Sequence, residues 1–439
     1  MHHFPRYEHY KDSGVAWLGE IPAHWELKPL KAVLVERKES NDPIKTREIL
    51  SLSMDKGVTL YSDKGRGGNK AKEDITAYKL AYPNDIVLNS MNVIVGSVGL
   101  SQYFGAVSPV YYTLYARYPY VSIKFCDKLF QNPSFQMSLF GLGNGILIKK
   151  SETSDKLNTI RLRIPMDKLN KVLLPLPPLA EQTAIAEFLD QKTAQIDRAI
   201  TQKEKLIALL QERRQILIHQ AVTRGLNPTA PMKDSGVAWI GQIPAHWEVT
   251  RVKNVFRLIT EPAPNNNDHE LLSVYTDIGV KPRRELEERG NKASTTDGYW
   301  LVKKGDIVVN KLLAWMGAIG VSDYEGVTSP AYDILRAKRD VSSEYFHFLF
   351  RSDICVSELK KHSRGIMDMR LRLYFDKFAD VMVPVPPMSE QKEIVAYIHR
   401  VTNKIATAIT CKQNEIEKLK EYKATLINSA VTGKIKIPA

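Results

Sequence analysis

The stretch KDSGVAWLGEIPAHWE at residues 11–26 returns as KDSGVAWIGQIPAHWE at residues 233–248, identical at fourteen of sixteen positions with an offset of 222. Self-similarity of that quality marks an internal duplication, and the rest of the chain follows it. Gly68-Asn69-Lys70-Ala71 recurs as Gly290-Asn291-Lys292-Ala293, Asp85-Ile86-Val87-Leu88-Asn89 as Asp306-Ile307-Val308-Val309-Asn310, and Ser108-Pro109 as Ser329-Pro330. Leu174-Pro175-Leu176-Pro177-Pro178 returns as Val383-Pro384-Val385-Pro386-Pro387 with the offset reduced to 209. Most of that shortening falls between Gly145 and Arg161, where the first copy carries the extra stretch IKKSETSDKLN. An indel of this kind belongs to a surface loop.

Each copy has two parts. The first is dense in Val, Ile and Tyr and broken by Gly, Asn and Asp; Asp85 to Leu88 and Val110 to Ala116 read as strands, Lys124 to Phe130 and Ser343 to Phe350 as short helices. This predicts an α+β architecture: two mixed α/β domains of about 165 residues each, at 1–178 and 226–387, joined by two long helices at 179–225 and 388–439.

The helices begin after Pro178 and Pro387, carry Glu181 and Glu390 at the positive end of the helix dipole, and end near Gly225 and Gly433, which suit a left-handed cap. Alternating steps of four and three select Ile196, Ile200, Lys203, Ile207, Leu210, Arg214, Leu217 and Ala221. The same steps in the second copy select Ile405, Ile409, Lys412, Ile416, Leu419, Lys423, Leu426 and Ala430. Both seams are apolar at the same six places and basic at the same two. So narrow a seam calls for a partner helix, and a rod of roughly 66 Å outruns one small domain. A lone amphipathic helix on its own domain is the plainer alternative. The economical expectation is that the two helices pair with each other as an antiparallel coiled coil and space the two domains.

Composition narrows the partners. Lys and Arg total 62 against 49 Asp and Glu, a formal charge of +13 over 439 residues, which calls for a polyanion: nucleic acid or an acidic membrane surface. Cys126, Cys355 and Cys411 lie far apart, which argues against a disulfide scaffold or a cysteine zinc site and for a reducing cytoplasm. There is no run of 18 apolar residues and no signal-peptide core at Met1-His2-His3-Phe4-Pro5, so a soluble, intracellular, cytoplasmic protein is expected, and the matched basic loops of the two copies favour DNA over membrane.

The duplicated layout, with LPLPPLAEQTAIAEFLDQKTAQID at 174–197 and VPVPPMSEQKEIVAYI at 383–398, resembles the specificity subunits of type I restriction–modification enzymes. The GEIPAHWE and GQIPAHWE segments and Ser329-Pro330-Ala331-Tyr332 are similar to that family too, and the resemblance spans essentially the whole chain. It implies a non-catalytic reader of double-stranded DNA with two target-recognition domains, each taking one half of a gapped, asymmetric site. It implies helices that dock two methyltransferase subunits, with a motor nuclease subunit joining. No cofactor is expected on this chain; S-adenosylmethionine, ATP and Mg belong to the partners. Physically, two non-identical readers one helical turn apart need a separation on the order of 34 Å, within reach of such a rod.

The two copies also sort candidate contacts. Identical positions suit scaffold or phosphate roles, and exposed positions that differ suit base reading. Asn69, Lys70, Asn291 and Lys292 sit in glycine-rich charged loops and are candidate phosphate contacts, or simply solvated residues; Arg66, opposite Glu288, is a better candidate for reading a base. Asn89 and Asn310 end the Asp-Ile-Val strand, where each could pair bidentately with adenine or satisfy its own turn; Lys311 follows directly. Before the helices, Lys149, Lys150, Arg161 and Arg163 face Arg364, Arg370 and Arg372. Arg161 aligns with Arg370 and Arg163 with Arg372, as shared phosphate clamps would, with plain surface charge as the alternative. His24-Trp25 and His246-Trp247 lack a second ligand at metal spacing and read as packed Trp beside a hydrogen-bonded His.

Two other classes compete. A methyltransferase with its own recognition domain has footholds in Asn132-Pro133-Ser134-Phe135 and Gly141-Leu142-Gly143-Asn144-Gly145, but about ten residues separate them, too few for two loops of a nucleotide fold. Asp376, Glu390 and Lys392 have loose nuclease-like spacing, yet the counterpart of Glu390-Gln391-Lys392 is Glu181-Gln182-Thr183, without the lysine, and no second acidic ligand stands near. A coiled-coil scaffold with no DNA role would leave the duplicated basic domains without a purpose.

Overall fold

The computed structural model describes residues 4–54, 56–63, 71–146, 161–276, 278–285, 296–365 and 371–438, the side chains at 145, 146, 161 and 162 excepted. The chain forms two compact units, one of Met1–Lys203 with Asn414–Ala439 and one of Glu204–Gln413. Each unit is built on a four-stranded antiparallel sheet of the same strand order. In unit 1 it runs Leu34–Glu36, Tyr111–Ala116, Ile86–Asn89, Val98–Leu100; in unit 2, Phe256–Ile259, Tyr332–Ala337, Ile307–Asn310, Ile319–Val321. The duplication read in sequence is a duplication of fold.

The central strand is apolar at consecutive positions because both of its faces are covered. Ile86 and Leu88 point into the main core with Phe125, Phe130 and Ile185, whereas Val87 packs on the other face with Leu50, Val58 and Val107. Ile307 and Val309 divide from Val308 in the same way. The expected strand at 110–116 begins one residue later, at Tyr111, and the expected helix at 124–130 spans Ile123–Gln131. Ser122 and Ser342 cap the two short helices, their hydroxyls accepting from the amides of Phe125 and Tyr345.

Asp85 and Asp306 open the central strands almost wholly buried, and each is held bidentately by an arginine: Arg37 at 2.7 and 3.0 Å, Arg336 at 2.8 and 2.7 Å. The two arginines are not equivalent in the repeat. Arg37 comes from the edge of the Leu34–Glu36 strand, while Arg336 lies on the strand whose counterpart is Tyr115, the ring over which Arg37 lies at 4.7 Å. A buried carboxylate without its partner is strongly destabilising, so the guanidinium is kept even though its source has changed.

The long helices span Leu179–Arg224 and Met388–Val431, and the unit boundary cuts both, so each unit holds the first half of one and the second half of the other. Within unit 1 they run antiparallel: Asp197 pairs with Lys423 at 2.7 Å, and Lys203, further along the first helix, pairs with Glu415, further back on the second. Ile185, Leu189 and Ile196 share a core with Leu426, Ala430 and Val431. Within unit 2, Ala221 and Val222 share one with Ile394, Val395 and Ile398. All sixteen seam positions named from sequence are buried or half-buried, the basic ones included. In unit 1 those lysines are answered by acids of the facing helix, which is how a charge is kept in a narrow seam.

The most strongly repeated segment forms a socket for helix ends. In unit 1, Trp25 is fully buried, and its Nε1 donates to Glu181 Oε2 at 3.0 Å, as does the Tyr7 hydroxyl at 2.8 Å. His24 Nε2 lies 2.6 Å from Glu181 Oε1. In unit 2, Trp247 Nε1 donates to Glu390 at 2.9 Å and His246 meets the same carboxylate. The next residue completes the joint: buried Gln182 accepts from the Ser122 amide and donates to the Pro177 carbonyl, and Gln391 does the same with Ser342 and Pro386. The outgoing end of the other helix meets the same Trp. A Cβ on Gly433 (φ +72) would lie 2.3 Å from Pro22 and 3.1 Å from Trp25, and one on Gly225 (φ +71) would lie 3.1 Å from Trp247. Glycine is required there twice over, by conformation and by contact. The strands Leu173–Leu176 and Met382–Val385 pair antiparallel with Glu26–Pro29 and Glu248–Arg251, strapping each helix start to its socket.

Candidate nucleic-acid interface

The basic segments before the helices end against the turns that follow the central strands. In unit 1 the Ile164 amide donates to the Ser90 carbonyl at 2.9 Å; in unit 2 the Leu373 amide donates to the Lys311 carbonyl at 2.9 Å. These are equivalent bonds, and they bring two groups of candidates together in each repeat. Arg163 lies one residue before the bond in unit 1 and Arg372 one residue before it in unit 2, both exposed. Arg163 pairs in register with Asn144 on a two-stranded ribbon that also contains the Arg161 backbone. Arg372 pairs with Arg364, whose guanidinium stands 3.6 Å from Asp376. Two adjacent, exposed arginines form a cationic ledge suited to phosphate.

The turns themselves hold their asparagines. Asn89 Oδ1 accepts from the Met91 amide and Asn310 Oδ1 from the Leu312 amide, each at 3.0 Å, the turn-satisfying role the sequence offered. Lys311 is directed inward: its Nζ donates to the Pro330 carbonyl at 2.7 Å and lies 3.4 Å from Asp333, whose pKa burial raises. Arg66, Asn69, Lys70, Lys149, Lys150, Asn291, Lys292 and Arg370 lie outside the described residues.

Sequence reading passed over the turns as units. Residues 91–96 read Met-Asn-Val-Ile-Val-Gly and residues 312–317 read Leu-Leu-Ala-Trp-Met-Gly, each closed by a glycine with φ near +86. Unit 2 exposes Leu312, Leu313 and Met316, with Lys360 lying over the Trp315 ring at 5.4 Å; unit 1 exposes Asn92 and Val95. An exposed loop that differs between copies while its hinge is kept is where two readers would diverge, and its position after the repeated Asp-Ile-Val strand was the available signal.

The footholds of the methyltransferase reading are structural. Asn132 is fully buried, caps the next short helix by accepting from the Ser134 amide, and donates to Asn428 at 3.1 Å; Phe135 is core. Glu390 is bonded in its socket, and the described residues contain no cluster of His, Cys, Asp and Glu fit for a metal. No helix among them is long and apolar enough to cross a membrane.

Comparison with known proteins agrees with this architecture. A Methanocaldococcus jannaschii chain provisionally named the type I restriction enzyme MjaX specificity subunit is 22% identical over 99% of this chain and 98% of its own length. The Escherichia coli type I restriction enzyme EcoBI specificity subunit is 28% identical over 53% of this chain and 52% of its own. The crystal structure of the HsdS subunit from Thermoanaerobacter tengcongensis shares the fold with a TM-score of 0.55 at 14% identity, covering 94% of this chain and 98% of that one. A chain from a structural study of assembly and conformational transition in the type I R-M system reaches 0.63 at 14% identity, again covering 94% of this chain and 98% of that one. The model of the type I restriction modification DNA specificity domain matches twice, at residues 36–208 and 244–418, once per repeat, and the chain therefore belongs to that family.

Proposed function

We propose that this chain is the non-catalytic DNA reader of a type I restriction–modification complex, each repeat reading one half of a gapped, asymmetric duplex site. The observation that carries the proposal is the matched pair of bonds from Ile164 to Ser90 and from Leu373 to Lys311, which sets an exposed arginine beside a turn whose sequence differs between the copies. The shared arginine suits phosphate, and the divergent turn suits base edges. In this reading residues 1–178 and 226–387 are the recognition domains and the helices at 179–225 and 388–439 set the interval between half-sites and dock two methyltransferase subunits. A motor nuclease subunit completes the complex. S-adenosylmethionine, ATP and Mg serve those partners, and the assembly works in the cytoplasm.

The test is selection from a pool of gapped random duplexes by the chain assembled with its methyltransferase subunit. Exchanging residues 312–316 for their counterparts 91–95 should change the selected bases of one half-site and leave the other intact. Equal loss at both halves, or no selection at all, would overturn the reading. Arg163→Ala and Arg372→Ala should each weaken binding across sequences and reduce the salt slope by about one.

A further inference from the structure

The repeat exposes one place where a group present in unit 2 is missing from unit 1. The shared caps Ser122 and Ser342 align the short helices, so Asp127 corresponds to His347 and Gln131 to Arg351. In unit 2 the Arg351 guanidinium is sunk among backbone carbonyls: Nη1 donates to Tyr275 and Gly317 at 3.3 Å and to Ile319 at 3.1 Å, and Nη2 donates to Thr276 at 2.8 Å. His347 beside it is neutral, its pKa pushed down to about 3 by burial and by the Arg351 charge. A Cβ on Gly279 would meet His347 at 3.4 Å and Arg351 at 3.9 Å, so these two side chains fill the space next to that glycine.

The same wall in unit 1 is made by Met54, Gly57, Gly96, Val98 and Gly99, and it faces a cavity of about 600 Å³. A Cβ on Gly57, the counterpart of Gly279, would meet only backbone, the Gly99 Cα at 3.8 Å. Gln131 is too short and is turned to donate to Asp127 Oδ2 at 2.6 Å. Asp127 borders the cavity and is 5% exposed; its Oδ1 is closed to solvent and has no hydrogen-bond partner. Unit 1 therefore has a carboxylate where unit 2 has a neutral imidazole, and a vacancy where unit 2 has a cation.

We propose that the unit 1 cavity is a binding site for a guanidinium group from outside the chain, with the carbonyls of Met54, Gly96 and Val98 as acceptors and the buried Asp127 carboxylate as counter-charge. Those carbonyls are the counterparts of three that accept from Arg351. A buried carboxylate is costly, and a planar, multiply donating cation is the group that offsets it while bonding to several carbonyls. The neighbouring lysines do not forestall this. Lys128 is paired with Asp190 at 2.6 Å and Lys423 with Asp197 at 2.7 Å, while Lys56 and Lys124 are exposed, where solvent screens them.

The experiment is thermal unfolding of the full chain with methylguanidinium chloride at millimolar concentrations, against KCl at equal ionic strength. A parallel series uses N-acetyl-arginine methylamide. A saturable rise in Tm with methylguanidinium and not with KCl is expected. A matching rise with the arginine derivative identifies an arginine side chain as an acceptable source, and a rise with methylguanidinium alone a small free cation. Asp127→Asn should abolish the response. Gln131→Arg should raise Tm without any probe and also abolish it, because the cation is then supplied from within. Equal shifts with KCl, no saturable shift, or a response that survives in both variants would overturn the proposal.

Discussion

Glu181 is the acid on which one helix start is hung, and removing it should unfasten the joint. Its Oε2 accepts from the Tyr7 hydroxyl at 2.8 Å and from the fully buried Trp25 Nε1 at 3.0 Å, and its Oε1 lies 2.6 Å from His24 Nε2. Bonds to a charged acceptor contribute about 1.5–3 kcal/mol each, and an orphaned buried N–H costs about 1–3 kcal/mol. These terms belong to one network and do not add, so Glu181→Ala should destabilise unit 1 by about 3–4 kcal/mol. Glu181→Gln can turn its oxygen toward Tyr7 and Trp25 and its NH2 toward His24, keeping the bonds without the charge, and should lose about 1–2 kcal/mol. The pH dependence has a definite sign. Burial pushes the Glu181 carboxyl up, but the bonds from Trp25, Tyr7 and His24 outweigh it and hold the group below its ordinary value of 4.5. Its contribution is therefore present above the unfolded value and is lost as pH falls through the lower folded one. Urea unfolding followed by tryptophan fluorescence at pH 7 and pH 3 would show the gap between wild type and Glu181→Gln at the first and a narrower gap at the second. A loss under 1 kcal/mol for Glu181→Ala, or a Gln gap equal at both pH values, would refute the reasoning.

Three further expectations rest on single sites. Asp127 titrates at about 6 because burial outweighs the Lys128 charge, against 3.8 unfolded. Its penalty grows as pH rises from about 4 to 6 and reaches on the order of 3 kcal/mol at pH 7. Without a bound cation, Asp127→Asn should stabilise the chain at pH 7 and have little effect at pH 4, as read by urea midpoints. Gly433→Ala should lower Tm more than Gly225→Ala, since its Cβ strikes the rigid Pro22 ring at 2.3 Å whereas the other meets Trp247 at 3.1 Å; calorimetry would separate them. Leu426→Ala in the helix seam should cost about 2–5 kcal/mol by the cavity it leaves, while Leu209→Ala, on the 60% exposed face, should change the urea midpoint little.

Much of the architecture was legible because duplication turns one sequence into two readings of the same fold. The Asp-Ile-Val strands announced themselves as short apolar runs repeated in both copies, and the seam through its period of 3.5, a local property of helix geometry. The part played by KDSGVAW and IPAHW was not legible. Identity told that the segment was shared, but not its partners: Glu181 and Gly433 in one unit, 156 and 408 residues from Trp25, and Glu390 and Gly225 in the other, 143 and 22 residues from Trp247. The exchange of Arg37 for Arg336 on equivalent aspartates was hidden for the same reason, because the two arginines sit on different strands that only pairing brings to one spot.

The sequence by itself determined that this protein is one unit written twice, with mixed domains, paired helices, a basic surface and the marks of a specificity-subunit family. Those features depend on spacing, composition and repetition, all properties of the chain in one dimension. The tertiary structure alone decided that Lys311 is turned inward and that Arg163 and Arg372 stand beside divergent loops. It alone decided that Asp127 is buried beside a cavity with one oxygen unpartnered. Hydrogen-bond partners and burial are fixed by distances of about 3 Å between residues remote in sequence, and no local pattern carries that information.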